Sequence, residues 1–71
     1  MQYIIADKEK ALNAGVSLVG HRHKDDKIIL DEKELTTFVS GETLEIKAKA
    51  VDGKVHSLET IKRIIKQGGW V

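Results

Sequence analysis

The stretch from Ser57 to Gly68, SLETIKRIIKQG, constrains this chain more than any other. Leu58, Ile61, Ile64 and Ile65 recur at helical spacing, while Glu59, Thr60, Lys62, Arg63 and Lys66 fall on the opposite side. Ser57 suits an N-cap and Gly68 a C-terminal stop, so the spacing predicts a helix over 57–67. A stripe of isoleucines cannot stay in water, so the remaining residues must supply an apolar layer to receive it.

That layer has to be small. The chain has 71 residues, 41% hydrophobic and 32% charged, which is the composition of one globular domain over residues 1–71. A domain of this length buries only about 60% of the surface of its unfolded chain, so modest stability is expected. There is no cysteine and no proline, which excludes disulfide staples, thiolate metal sites and a thiol nucleophile. The core must therefore come from Ile, Leu and Val. The longest uncharged run, Leu12 to Gly20, is far short of the roughly 20 apolar residues that a membrane span requires. The segment MQYIIAD lacks the basic start and long apolar run of a secretion signal, and the absence of cysteine suits a reducing compartment. A cytoplasmic location is the expectation.

Short strands are predicted near 3–6, 16–21 and 27–31, with a further piece near 54–56. The first is Tyr3-Ile4-Ile5-Ala6, the second rests on the alternation of Val16 and Leu18 with Ser17 and Val19, and the third contains Ile28-Ile29-Leu30. Asp7 can cap a helix over 8–14 that turns Ala11 and Leu12 inward and ends at Gly15. Asp31-Glu32-Lys33-Glu34 has the form of a capping box, in which Asp31 accepts a first-turn amide and Glu34 reaches back. A helix over 32–38 follows, with Leu35 and Phe38 on one face.

Residues 42–51 carry two patterns. Leu44, Ile46, Ala48 and Ala50 alternate with charges as in a strand that would turn at Asp52-Gly53, whereas Leu44, Ala48 and Val51 form a helical stripe. The Glu, Lys and Ala content favours helix, capped by Ser40. KEKALNAGVS and KAKAVDGKVHS echo each other weakly, too briefly to establish a repeat. The expected fold is α+β, with three to four short strands against three to four short helices. Its predicted core is Ile4, Leu12, Val16, Leu18, Ile28, Leu30, Leu35, Phe38, Leu44, Ala48, Val51, Val55, Leu58, Ile61, Ile64, Ile65 and Trp70.

Functional signals are sparse. His21 and His23 would share a side if a strand ran through them, and His56 could add a third imidazole. The spacing matches no established zinc motif, so neither a metal nor another cofactor is expected. The acids Asp25, Asp26, Asp31, Glu32 and Glu34 lack the alternation of a calcium loop. No nucleophile elbow, HExxH or glycine-rich nucleotide loop is present, and the expectation is a protein without enzymatic activity.

Net charge is only +1, but it is uneven. Residues 54–71 hold Lys54, Lys62, Arg63 and Lys66 against Glu59, a net +3 that leaves −2 on the first 53. The leading expectation is a protein-interaction module, acting alone or as a homodimer, with Trp70 available to a partner. Of the two readings of Trp70 itself, closure of the core over the isoleucine stripe is favoured over exposure to a partner. The alternative function is nucleic-acid binding, with Arg22, Lys24, Lys62, Arg63 and Lys66 contacting phosphates.

Overall fold

Two apolar triplets, Ile4-Ile5-Ala6 and Ile28-Ile29-Leu30, are buried along their whole length. Successive side chains of a strand point to opposite faces, so unbroken burial requires a sheet covered on both sides. The computed structural model, which describes residues 1–70, has that arrangement. The elements are β1 (Gln2–Asp7), α1 (Lys8–Asn13), β2 (His23–Lys24), β3 (Lys27–Asp31), α2 (Glu32–Phe38), α3 (Leu44–Ala50), β4 (Lys54–Ser57) and α4 (Leu58–Gln67). The fold is α+β, a four-stranded antiparallel sheet in the order β2-β3-β1-β4 with four helices. No helix among the described residues is long and apolar enough to cross a membrane.

The register sorts the side chains into two cores. Ile4 lies opposite Leu30 and Val55, and Ala6 opposite Ile28. Their face packs on Ala11, Leu35, Val39, Ala48 and Val51, contributed by α1, α2, α3 and the segments that end them. Ile5 pairs with Ile29 on the other face, where Ile61 of α4 completes a smaller cluster flanked by Tyr3, Ile64, Ile65 and Trp70. The sheet is thus sandwiched, with three helices below and α4 alone above.

Three strands pass directly into helices through their own last residue. Asp7, Asp31 and Ser57 each end a strand in extended conformation and accept an amide from the first helical turn, at 3.0, 2.7 and 3.3 Å. One residue satisfies both the ladder and an orphan helix donor, so no connecting loop is needed. α1 and α3 end alike. Val16 donates to the Ala11 carbonyl and Gly53 to that of Ala48, the six-to-one bond of a Schellman motif, with Gly15 and Asp52 in the left-handed region. The echo between the two segments does not map onto this shared ending, since Gly15 holds the left-handed position in one and Asp52, not Gly53, in the other. Lys10 of α1 and Asp52 also form an ion pair, but it is solvent-exposed and adds little.

Several expectations need correction. No strand runs over 16–21. Val16 is buried and Leu18 packs beside it, but they anchor a loop in which Ser17 Oγ accepts the Val19 amide, and the chain joins the sheet only at His23. The position beside β3 is filled by β2, which returns through the Asp25-Asp26 turn, so 16–21 cannot pair with β3. Residues 44–50 are helical, but Thr43 is the cap rather than Ser40.

Leu12, Phe38 and Leu58 were expected in the core and are about 40% exposed. α1 presses Ala11 against the sheet, and one residue further round the helix Leu12 faces out. Phe38 sits at the end of α2, its ring against the backbone of Gly15. Leu58 starts α4, beyond the reach of the sheet centre. Ala11 is buried as expected, and Ile5, Ala6, Ile29 and Val39 are buried although absent from the expected core, the isoleucines because α4 covers the second face.

Candidate functional site

A cleft of about 290 Å³ opens where α4 crosses the sheet. Its floor is Ile29 of β3 with Tyr3 of β1, both on the α4 side of the sheet. Leu58, Ile61, Lys62 and Ile65 of α4 form one wall. Gly20, His21 and Arg22 of the loop after α1, with Asp31 and Glu34 at the start of α2, form the other. The register brings Tyr3 opposite Asp31 and Ile5 opposite Ile29, so one end of this face is polar and its middle apolar.

His21 holds the loop wall in place. Its Nδ1 lies 2.7 Å from the Ser17 carbonyl and its Nε2 lies 2.5 Å from Glu34 Oε2. A carbonyl only accepts, so Nδ1 donates; an ionised carboxylate also only accepts, so Nε2 donates as well. The imidazolium is the form that donates from both nitrogens, and this geometry favours it. Burial opposes this charge, since the side chain is only 11% exposed, yet the Glu34 hydrogen bond, the Ser17 carbonyl, the Glu34 charge and the Val19 backbone together hold the His21 pKa above its ordinary 6.5. The capping box therefore forms only in part. Asp31 accepts the Glu34 amide as expected, but the Glu34 carboxylate turns to His21 instead of back to the cap.

A raised folded pKa has a definite sign in stability. The contribution of His21 is fully present below its unfolded pKa of about 6.5 and is lost as pH rises through the higher folded value. Urea unfolding from about pH 6 to about pH 9 is therefore expected to show falling stability, and His21→Ala should remove most of that slope. An unchanged slope in the variant would show that His21 is not the titrating group.

Arg22 continues the wall. Its carbonyl accepts the Ile29 amide at 2.9 Å, which fixes its backbone to β3 while its side chain stays exposed at the cleft. Lys62 of α4 lines the same cleft. Among the described residues neither cation makes an ion pair. The other cations singled out from the sequence lie elsewhere. Lys24 Nζ donates to the Gly68 carbonyl at 3.0 Å and so closes the end of α4, while Arg63 and Lys66 are exposed on α4 and do not line the cleft.

Trp70 packs partly buried against the Ile5, Ile29 and Ile61 cluster; Val71 lies outside the described residues. His23 sits on the short edge strand, and His56 is opposite Tyr3 with its Nε2 buried and unpartnered among the described residues. His21 is engaged on both nitrogens, and among the described residues no three His, Asp or Glu side chains converge as a metal would need.

No family model, curated protein or solved structure matches this chain. The reading of the site therefore rests on its own chemistry. The sequence signalled Arg22, Lys62 and the isoleucines separately. The Tyr3, Asp31 and Glu34 contributions carried no signal, because the pairing of β1 with β3 and the His21 contact assemble them.

Proposed function

We propose that this chain is a protein-interaction module that receives a segment of another protein in the cleft between α4 and the sheet. The carrying observation is that a cleft beside α4 reaches down to the smaller core, with buried Ile29 and Ile61 at its base, partly exposed Leu58 and Ile65 beside them, and two unpaired cations among its lining residues. A cleft of this volume is at the low end of small-molecule pockets and suits one or two side chains better than a cofactor. Exposed Leu58 and Val19, the latter next to Gly20, extend the apolar surface at its margin. His21 lacks a free lone pair for general-base work, which favours binding over catalysis. The division of the five cations among the cleft, the α4 cap and the outer α4 face weakens the nucleic-acid alternative. A cysteine-free domain fits the cytoplasm.

Binders selected from a random-peptide library, mapped by amide chemical shifts, test this reading. The shifts are expected at Gly20–Arg22 and along Leu58–Ile65. Leu58→Glu, at a partly exposed site, should weaken binding about tenfold or more while leaving the fold intact. Shifts confined to other surfaces would overturn the reading. A dimer in light scattering, with the cleft protected in the free protein, would assign the cleft to a second copy instead.

A further inference from the structure

We infer that the segment taken by the cleft is acidic as well as apolar, with one aliphatic or aromatic anchor over Ile29 and Ile61 and a carboxylate between Arg22 and Lys62. This rests on the interaction reading above and adds the chemistry of the partner.

Four side chains that border the cleft besides these two cations are ionised or polar, and three of them are occupied. Asp31 accepts the Glu34 amide at 2.7 Å as the cap of α2 and keeps its charge at the polar end of the cleft, while His21 and Glu34 are bound to each other at 2.5 Å. Tyr3 presents a ring that packs with the isoleucine cluster. Arg22 of the loop and Lys62 of α4 remain, both lining the cleft, with no carboxylate of the described residues in ion-pair reach. Their exposed state costs nothing in water, but an apolar side chain entering between them displaces that water and raises the value of a compensating charge. A purely apolar segment would leave both cations partly desolvated and unpaired. A basic segment would add repulsion. The excess positive charge of residues 54–71 acts in the same direction over longer range.

The test uses the whole chain and two fluorescein-labelled peptides, each with a Leu-Phe pair, flanked by glutamates in one and by lysines in the other, alongside the selected library binders. At low salt the glutamate peptide is expected to bind about tenfold tighter than the lysine peptide, and Arg22→Glu with Lys62→Glu should reverse the order. Selected binders should be enriched in acids beside their apolar residues. Binders that map to the cleft without acidic enrichment, or a charge reversal without effect, would overturn this inference and leave the cleft reading standing. Failure of every peptide to shift the cleft amides would overturn both. Displacement of the glutamate peptide by a single-stranded oligonucleotide with the same dependence on Arg22 and Lys62 would assign the cations to phosphate instead.

Discussion

Ile61→Ala is expected to lower the unfolding free energy by about 2–5 kcal/mol, the usual cost of truncating a buried isoleucine. For a chain of 71 residues total stability is on the order of 4–10 kcal/mol, so the loss is a large fraction of the whole. Ile61 is 3% exposed and is the buried residue of α4, whose ten residues are too few to hold a helix alone in water. It packs with Ile5 and Ile29, so its truncation opens a void under α4, the one helix of the described residues on that side. Two readouts separate this from a general loss of packing. The urea midpoint falls, and the native Trp70 emission shifts to the red because the indole rests on the same cluster. Arg63→Ala, on the exposed side of α4, should stay within about 0.5 kcal/mol. An Ile61→Ala protein as stable as the parent would show that α4 does not face the sheet, and the cleft would lose its wall.

Gly53→Ala is the second large effect, expected at about 1–3 kcal/mol. Gly53 follows the Schellman ending of α3 and passes directly over β1. A methyl group built there lies 2.5 Å from Ile4 Cγ2, 3.2 Å from the Ala48 carbonyl oxygen and 3.4 Å from that of Ile5. Ile4 is fully buried and cannot swing away, and the two oxygens belong to the backbone. The cost is steric crowding, not lost backbone freedom, since the left-handed position of this ending is occupied by Asp52. Ile4→Leu, which removes the branch at Cβ, should therefore recover part of the loss when combined with Gly53→Ala. Thermal or urea unfolding of the four proteins in a double-mutant cycle measures that coupling. Additive effects would mean that the crowding arises elsewhere.

The contrast between these two sites shows what kind of information each carries. The isoleucine stripe of α4 is a local pattern, and its inward face follows from spacing alone. The need for glycine at 53 depends on β1 lying beneath it, a neighbour some fifty residues away in sequence. Leu12 and Phe38 fail as core residues for the same reason. Their helices are short, and a turn of one residue decides which side meets the sheet. Val16 and Leu18 alternate like a strand, yet a strand must also pair, and β2, returning through Asp25-Asp26, takes the side of β3 instead.

The candidate site divides in the same way. Lys62 and the α4 isoleucines could be placed on one helix from the sequence, and Arg22 singled out as a cation. Glu34 was legible only as part of a helix cap, because nothing in a capping pattern reveals that a histidine 13 positions earlier will take the carboxylate. That exchange fixes the wall of the cleft and gives the fold its expected pH dependence.

Local chemistry determined the elements: capping carboxylates and hydroxyls at Asp7, Asp31 and Ser57, helix content in 44–50, two apolar triplets, and an amphipathic final helix. These depend on groups within a few residues of one another, so the order of the chain suffices to specify them. Tertiary structure decided that the sheet is covered on both faces, that α4 stands alone on one of them, and that His21, Arg22 and Glu34 meet its flank. Those outcomes depend on which strand edges pair and in what register, and shifting that register by one residue would send every side chain of a strand to the other layer.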